Sequence, residues 1–205
     1  MTTDQITYAT YERKVPSRDA THPNRLFWAP EAEKFISKLS GLRVLEVGCW
    51  TGRDSQYFDE FEYVGIDLSE RALAVAKQNQ PNLRFQKADL YKLPFSDGTF
   101  DGVWAAAVYV HVPSVQIVDA LKELHRVIKP NGIAWLAMHP GNFEGYVDDA
   151  DGPRYFTQYS LEGFAQRLSS AGFIVEEKGV VDSQARGAPA RYPNFLSYFA
   201  RKPQL

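Results

Sequence analysis

Short apolar runs alternate with segments of helical period along the middle of the chain. Apolar runs bounded by turn residues are typical of buried strands. Five strand-like segments occur, at residues 43–47, 63–67, 83–87, 101–108 and 133–138. Between them the sequence predicts a short helix after Gly52, a helix opened by Ser69, and a helix over residues 114–128 that ends at residues 130–132. Strands that alternate with helices indicate a doubly wound α/β fold with a parallel sheet.

The segments that flank these strands have weaker patterns. The chain up to Leu26 is polar and contains Pro16 and Pro23, so we expect an arm or a partly ordered lid there. After Pro30, apolar residues at positions i, i+3, i+4 and i+7 predict a helix. Residues 140–159 have no regular period, and an aperiodic stretch of this length predicts a functional loop or a lid.

The carboxyl-terminal part predicts a helix and two strands. Ser160 is placed to cap the helix, and Gly172 is placed to end it. Apolar runs at residues 174–181 and 195–201 predict two closing strands. The linker between them is too short for a crossover helix, so we expect an antiparallel pair. Together with the five earlier strands, this gives a mostly parallel sheet of seven strands with an antiparallel closing strand.

A glycine-rich turn follows the first strand, in the sequence Glu46-Val47-Gly48-Cys49-Trp50-Thr51-Gly52. A carboxylate followed by such a turn at the end of a buried strand is typical of a nucleotide-type cofactor site, where glycines let a ligand approach the backbone. The second strand ends in Asp67, about 20 residues after the first acid, where a carboxylate can accept both hydroxyls of a ribose. Both signals predict one crevice at the same edge of the sheet.

Length and composition favour a single domain. The chain has 205 residues, of which 44% are hydrophobic, which suffices for one substantial core. We expect one domain over residues 1–205. Its predicted parts are an arm and helix (1–40), a cofactor-binding core (42–139), a lid or substrate loop (140–159), and a closing helix and strands (160–205).

Charge and cysteine content narrow the class of partner. The formal net charge is −2 and the isoelectric point is about 6.1, so nothing in the overall charge favours nucleic acid. Cys49 is the single cysteine, which excludes an internal disulfide, gives no metal-ligand cluster and fits a reducing compartment. The sequence contains no apolar leader and no apolar run of about 18 residues. We therefore predict a soluble, cytoplasmic protein with no membrane partner and no metal.

Four motifs in order resemble the class I S-adenosylmethionine-dependent methyltransferases, over roughly residues 42–173. They are the glycine-rich turn at 46–52, the segment Gly65-Ile66-Asp67-Leu68-Ser69, residues 88–95 with 100–103, and residues 123–132. The resemblance implies a Rossmann-like methyltransferase fold and S-adenosylmethionine as cofactor, with S-adenosylhomocysteine as product. It also implies transfer of a methyl group to an oxygen or nitrogen of a small-molecule acceptor.

The resemblance assigns roles to residues along the predicted edge. Glu46 would meet the cationic head of the cofactor, directly or through water, and Asp67 would accept the ribose hydroxyls. Leu68 would lie against the adenine ring, while the Asp89 side chain and the Leu90 backbone N–H would bind its edge. The full predicted set for the cofactor is Glu46, Gly48, Trp50, Gly52, Asp67, Leu68, Asp89, Leu90 and Ala106, the last through its backbone carbonyl.

Trp50 departs from the family pattern, which usually has glycine at this position. We expect its backbone to stay in an ordinary region of φ and ψ, because Gly48 and Gly52 remain for the turn. The indole would then pack over the cofactor or under the amino-terminal arm, or fill the core.

Two histidines fall at the carboxyl edge of the predicted sheet, where ligands of such folds bind: His111 after the fourth strand and His139 after the fifth. Each is a candidate general base for an oxygen or nitrogen acceptor. The alternative is a loop histidine with a satisfied hydrogen bond. A base is optional, because alignment and desolvation can supply most of the acceleration of methyl transfer.

Aromatic residues are frequent near the same edge and suit a small organic acceptor. The predicted acceptor-binding residues are Tyr11, Tyr109, Tyr146 and Tyr155. Glu144, Asp148, Asp149 and Asp151 make the 140–159 loop acidic, which is compatible with a cationic or amine acceptor or with a solvated surface loop.

Two other functions fit parts of this pattern. A non-catalytic domain that binds the cofactor or regulates a partner would keep the same motifs, since no single residue is indispensable for methyl transfer. An NAD-dependent oxidoreductase would share the strand order and Asp67, but its Gly-x-Gly-x-x-Gly fingerprint is absent after Gly48.

Overall fold

A computed structural model describes residues 4–18, 26–149, 151–188 and 194–204. Its helices are α1 (Gln5–Arg18), α2 (Ala29–Ser37), α3 (Glu70–Asn79), α4 (Ile117–Val127) and α5 (Leu161–Ser170), with short 3-10 helices at Asp54–Phe58 and Tyr109–His111. Its strands are β1 (Arg43–Val47), β2 (Glu62–Asp67), β3 (Arg84–Lys87), β4 (Phe100–Ala106), β5 (Ile128–Met138), β6 (Glu144–Asp149), β7 (Gly152–Thr157), β8 (Ile174–Val181) and β9 (Phe195–Arg201). None of the described helices is both long and apolar enough to cross a membrane.

Seven strands form one sheet in the order β3-β2-β1-β4-β5-β9-β8. The first five in this order run parallel, and β9 pairs antiparallel with both β5 and β8. This confirms the predicted fold, including the antiparallel closing strand. The bounds of β8 and β9 coincide with the predicted runs.

Apolar residues on both faces of the sheet explain why the strands are buried on both sides. One cluster includes Leu121, Leu124 and Phe164 from α4 and α5, and the other includes Phe35 from α2. Helices therefore cover both faces, as the continuous apolar runs predicted.

Three local expectations were wrong. Residues 144–157 form a hairpin of β6 and β7 rather than an aperiodic loop. Residues 5–18 of the expected arm form α1, while residues 19–25 lie outside the described part of the chain. β5 begins at Ile128, and its pairing with β4 jumps from Phe100–Ile128 to Gly102–Ile133, so the expected turn is a bulge within the strand.

Helix α1 has a polar buried face, which explains why hydrophobic periodicity did not reveal it. Thr7, Thr10 and Lys14 are each at most 4% exposed and follow a helical spacing of three and four residues. These side chains contact the β6–β7 hairpin, about 140 residues further along the chain. We call α1 together with this hairpin the cover.

Candidate active site at the carboxyl edge of the sheet

The residues assigned to the cofactor lie at the ends of neighbouring strands. Glu46 is near the end of β1, Asp67 ends β2, and Ala106 ends β4, while Asp89 follows β3. Because β3, β2, β1 and β4 are adjacent and parallel, their carboxyl ends meet at one edge. The topology therefore brings the predicted set together at this edge.

The turn after β1 uses left-handed backbone at three positions. Gly48, Trp50 and Gly52 have φ of 72°, 50° and 76°. The expectation that Trp50 keeps an ordinary conformation is therefore wrong. A non-glycine residue in this region costs about 1–2 kcal/mol and persists where its surroundings fix it, commonly at functional sites. A Cβ on Gly48 would come within 2.6 Å of the Val108 side chain, so the close approach of another side chain already requires glycine here.

Asp67 holds the strained turn in place. Its Oδ2 accepts the Trp50 backbone N–H at 3.0 Å, and its Oδ1 accepts the Ser69 backbone N–H at 2.9 Å. Burial raises the pKa of Asp67 from its ordinary value, against the lowering effect of these hydrogen bonds. The carboxylate thus links the end of β2 to the turn after β1, and its role toward a ribose stays a prediction.

Glu46 is only 3% exposed and its Oε2 accepts a hydrogen bond from the hydroxyl of Tyr63. Burial, and then the nearby carboxylate of Asp54, raise the pKa of Glu46 well above its ordinary range. Asp54 is itself buried, and it pairs with Arg53 at 2.6 Å and accepts the indole N–H of Trp104 at 3.2 Å. A cationic group beside Glu46 would favour its ionised form.

The predicted adenine end is a tight turn after β3. Asp89 Oδ1 accepts the backbone N–H of Tyr91 at 3.0 Å, as in an Asx turn. The Leu90 side chain packs against the main apolar cluster. The adenine roles of both residues stay predictions. At the end of β4, Ala107 has φ of 55°, so a second strained residue follows Ala106 at this edge.

Within the cover, polar contacts join α1 to the β6–β7 hairpin. Thr10 Oγ1 donates to Pro153 O at 2.8 Å, and the Tyr155 backbone N–H donates to Thr7 Oγ1 at 2.8 Å. Lys14 Nζ lies 3.1 Å from Asp151 Oδ2. These contacts fix the orientation of α1 relative to the hairpin.

Tyr11 of the cover joins the glycine-rich turn after β1 to His111. We call this turn, at residues 46–52, the cofactor turn. Its ring meets the Trp50 indole edge-on, with centroids 5.3 Å apart, so the indole packs under the amino-terminal segment. Its hydroxyl lies 2.8 Å from His111 Nε2, and Arg154 Nη1 donates to the same hydroxyl at 3.0 Å. His111 Nδ1 lies 2.6 Å from the carbonyl oxygen of Tyr155. A carbonyl only accepts, so Nδ1 carries the proton and Nε2 of the neutral ring accepts from Tyr11.

His139 stacks on Phe156, with ring centroids 5.4 Å apart and planes 16° from parallel. Burial, and then the charge of Arg154, lower the pKa of His139 from 6.5 to about 4. The imidazole is therefore neutral at physiological pH but only weakly basic. His111 also contacts Phe156, so this ring separates the two candidate bases.

The predicted acceptor-binding tyrosines have different environments. Tyr109 is 0% exposed within the main apolar cluster, so the structure does not bring it to the edge. Tyr146 is 47% exposed, and its hydroxyl donates to Asp4 Oδ1 at 2.8 Å. The Tyr155 hydroxyl donates to Glu144 at 2.7 Å. Of the four tyrosines, Tyr11 contacts the His111 ring through its hydroxyl and Tyr155 contacts it through its backbone carbonyl.

Two acidic side chains of the hairpin region already make hydrogen bonds or ion pairs within the protein. Glu144 accepts from the Ser114 backbone N–H as well as from Tyr155, and Asp151 pairs with Lys14. These contacts weaken the argument for a cationic acceptor, because structural roles explain two of the acids. Within the described residues, no group of three or more histidine, cysteine or acidic side chains is arranged to hold a metal ion.

Sequence reasoning missed four residues of this region: Arg53, Asp54, Tyr63 and Arg154. Arg53 and Asp54 directly follow the glycine-rich turn, and this position was the available signal. Tyr63 lies two residues before Gly65 on the same face of β2, where it reads as core. Nothing local in the sequence indicated that Arg154 would meet Tyr11, since 143 positions separate them.

Comparison with protein families and characterised proteins identifies relatives. A family model described as a methyltransferase domain matches residues 44–132. The chain is 30% identical over 170 residues to a 2-methyl-6-phytyl-1,4-hydroquinone methyltransferase of Synechocystis, an alignment that covers 73% of this chain and 52% of that protein. It is 38% identical over 95 residues to a malonyl-[acyl-carrier protein] O-methyltransferase of Erwinia pyrifoliae, covering 45% and 36%. The chain thus spans about half of the first relative and about a third of the second.

Solved structures share the fold. An S-adenosylmethionine-dependent methyltransferase of Methanosarcina mazei superposes with a TM-score of 0.74 at 17% identity, over 86% of this chain and 98% of that one. The 1,6-didemethyltoxoflavin-N1-methyltransferase of Burkholderia thailandensis, solved with 1,6-didemethyltoxoflavin and S-adenosylhomocysteine, gives 0.74 at 19% identity, over 96% and 89%. The [4+2]-cyclase SpnF gives 0.67 at 20% identity, over 86% and 82%. The motifs, the family match and the Synechocystis relative support assignment of the chain to the class I methyltransferases, whose cofactor is S-adenosylmethionine, and the solved structures share its fold.

Proposed function

We propose that this chain transfers the methyl group of S-adenosylmethionine to an oxygen or nitrogen of a small-molecule acceptor. The observation that carries the proposal is Tyr11, which contacts Trp50 of the cofactor turn and hydrogen-bonds to His111. One side chain of the cover therefore touches both the predicted cofactor site and a candidate base. The similar proteins include an O-methyltransferase and an N1-methyltransferase, which supports the class of acceptor atom.

The chemistry of the side chains at the edge fits the parts of the cofactor. Glu46 offers a buried carboxylate for the amino acid head, and burial makes a cationic partner favourable for its charged form. Asp67 offers a carboxylate for the ribose diol and is already oriented by two backbone N–H groups. When bound, the cofactor supplies an activated methyl group on a positively charged sulfur.

The proposed contribution of the chain to the reaction is alignment, exclusion of water and removal of one proton. The cover and the sheet edge would hold the acceptor in line with the methyl group, which suffices for most of the acceleration. A proton released by the acceptor would pass to His111 Nε2, directly or through the Tyr11 hydroxyl. The Tyr155 carbonyl, which accepts from Nδ1–H, would stabilise the protonated ring. His111 is preferred to His139, whose pKa of about 4 makes it a weak base.

A screen for turnover tests the proposal. Purified protein is incubated with S-adenosylmethionine and panels of phenols, carboxylic acids and amines, and S-adenosylhomocysteine and methylated product are quantified by mass spectrometry. The proposal predicts that at least one acceptor of these classes yields both products in equal amounts. Release of S-adenosylhomocysteine without a methylated acceptor, or no turnover across the panels, would contradict it.

Variants of the proposed proton path refine this test. Tyr11→Phe and His111→Gln are expected to lower kcat about tenfold to hundredfold, within the usual contribution of a general base, while S-adenosylhomocysteine affinity changes little. His125→Gln is the matched control, because His125 belongs to α4 and contacts Phe173 rather than the cover. Equal rates in all three variants would remove His111 as a base.

The alternative is a cofactor-binding domain without catalysis. The fold itself does not decide between the two, since SpnF has the same fold and carries the name of a cyclase. Tight cofactor binding with no turnover on any acceptor would favour this alternative.

A further inference from the structure

The contact between Tyr63 and Glu46 crosses from β2 to β1 beneath the cofactor turn. In the parallel pairing, Glu46 lies opposite Gly65 and Val44 lies opposite Tyr63. The Tyr63 side chain therefore extends forward along its strand by two residues before its hydroxyl donates to Glu46 Oε2. Both side chains are nearly inaccessible, since Glu46 is 3% and Tyr63 is 4% exposed.

Gly65 makes this path possible. A Cβ at Gly65 would lie 2.5 Å from the Tyr63 hydroxyl and 2.7 Å from Phe85 Cδ1. Gly65 is not among the residues with positive φ, so glycine is required here for space rather than for backbone conformation. The glycine of this motif thus leaves a channel through which the phenol reaches the carboxylate.

The Tyr63 ring is held on two sides. It stacks on Phe58, with centroids 6.1 Å apart and planes 12° from parallel, and it meets Phe85 edge-on at 5.7 Å. A ring packed this way has little rotational freedom, so the direction of its hydroxyl is fixed. One oxygen of Glu46 is therefore bonded to a rigid donor, and Oε1 is left as the oxygen for an incoming ligand.

We propose that Tyr63 is a positioning residue, which orients the Glu46 carboxylate toward the ammonium group of the cofactor. This inference rests on the proposed role of Glu46 in binding that group. A charge-assisted bond from a fixed phenol restricts the carboxylate to one orientation and stabilises its ionised form. Without it, the buried carboxylate would be displaced and more readily protonated.

The surroundings of Glu46 make this effect dependent on pH. The groups that face it are Asp54 from the 3-10 helix and Arg53 directly before that helix, Asp67 and Tyr63 from β2, and the Cys49 thiol from the turn. Burial and Asp54 favour protonation of Glu46, whereas Tyr63 and Arg53 favour the charged form. Removal of the phenol hydroxyl should therefore raise the pKa of Glu46 further. As the pH falls, the variant would therefore lose affinity for an ammonium group at a higher pH than the native protein does.

Calorimetric titration of Tyr63→Phe with two ligands tests the proposal. S-adenosylhomocysteine carries the ammonium group, and 5′-methylthioadenosine lacks it but keeps the adenine and ribose. The expected result is a Kd for S-adenosylhomocysteine raised about tenfold or more, with the Kd for 5′-methylthioadenosine nearly unchanged. The loss of S-adenosylhomocysteine binding on acidification should also begin at a higher pH in the variant.

Tyr198→Phe is the matched control, because it removes another buried phenol hydroxyl, which bonds to the Leu161 carbonyl at 3.0 Å. It should lower stability similarly and leave both ligands unaffected. Equal weakening of both ligands by Tyr63→Phe, or an unchanged Kd for S-adenosylhomocysteine at every pH, would overturn the proposal. If Tyr63→Phe does not fold, Gly65→Ala displaces the hydroxyl instead and should produce the same selective loss.

Glu46→Gln separates this inference from the proposed cofactor site. If Glu46→Gln abolishes the preference for S-adenosylhomocysteine over 5′-methylthioadenosine but Tyr63→Phe preserves it, only the role of Tyr63 fails. If Glu46→Gln also preserves the preference, the assignment of Glu46 to the ammonium group fails as well.

Discussion

Replacement of Asp67 by alanine should lower both the affinity for the cofactor and the stability of the protein, and the two losses can be measured separately. The structure gives this carboxylate two backbone N–H donors, Trp50 at 3.0 Å and Ser69 at 2.9 Å. The ribose assignment adds hydroxyl donors from the cofactor. A hydrogen bond to a charged group is worth roughly 1.5–3 kcal/mol, so loss of one such bond weakens binding by about tenfold to hundredfold.

The two lost backbone bonds should appear as reduced stability. Each is a bond to a charged group and is worth roughly 1.5–3 kcal/mol, so the free energy of unfolding, measured by urea denaturation, should fall by about 3 kcal/mol or more. Affinity is then measured by calorimetry at a temperature where circular dichroism shows that the variant is folded. Asp119→Ala is a matched control, because Asp119 lies on α4 and its side chain is 53% exposed.

A ligand lacking the hydroxyls isolates the ribose contribution. S-adenosylhomocysteine and its 2′,3′-dideoxy analogue are titrated against the native protein and Asp67→Ala, which completes a double-mutant cycle. The native protein should prefer the diol by about tenfold or more, and the variant should show little preference. An equal preference for the diol in both proteins would refute the ribose assignment, even if Asp67→Ala binds more weakly overall.

Three further predictions concern the site and its surroundings. The pKa of His139 is lowered to about 4, so the free energy of unfolding should fall as the pH drops from about 6.5 toward 4. In urea titrations, His139→Asn should remove about 3 kcal/mol of that fall. Parallel pH profiles for the native protein and the variant would contradict this. Trp50→Gly removes the indole under Tyr11, so amide hydrogen exchange should accelerate in α1 and not in the central strands. Unchanged exchange in α1 would show that the contact between Trp50 and Tyr11 does not stabilise this helix. The Tyr109 hydroxyl makes no hydrogen bond within the described structure, so Tyr109→Phe should leave turnover unchanged and stability equal or higher by about 1 kcal/mol; a selective rise in acceptor KM would restore its acceptor role.

The sheet could be predicted from the sequence because its information is local. The central strand β4 is a nearly continuous apolar run, and the two closing strands have turn residues on both sides. The cofactor edge followed from the same pattern, because acids at the ends of adjacent parallel strands must meet. Ser160 confirms the same logic for a helix start, since its hydroxyl accepts the Gly163 backbone N–H at 3.0 Å.

The cover could not be predicted because its information is distributed along the chain. Helix α1 packs through Thr7 and Thr10 against the hairpin, and polar residues at helical spacing give no hydrophobic signal. The hairpin in turn has few apolar residues, so its strands lacked a clear alternation. The pairing of Tyr11 with His111 depends on both elements and on 100 intervening residues.

Trp50 and Tyr109 illustrate the limit of reasoning from residue type. The left-handed backbone of Trp50 accompanies its bond to Asp67, which the local sequence does not reveal, and its packing under Tyr11, which was only one of three expected positions for the indole. Tyr109 follows β4 like His111 but points into the apolar cluster. In both cases tertiary contacts override the local preference.

Isothermal titration of the purified protein with S-adenosylmethionine, and separately with NAD, tests the central claim most directly. The edge formed by Glu46, Trp50 and Asp67 predicts micromolar binding of S-adenosylmethionine with about one site per chain and no binding of NAD. Failure to bind S-adenosylmethionine, or binding of NAD with similar affinity, would contradict the account of this edge as a methyl-donor site.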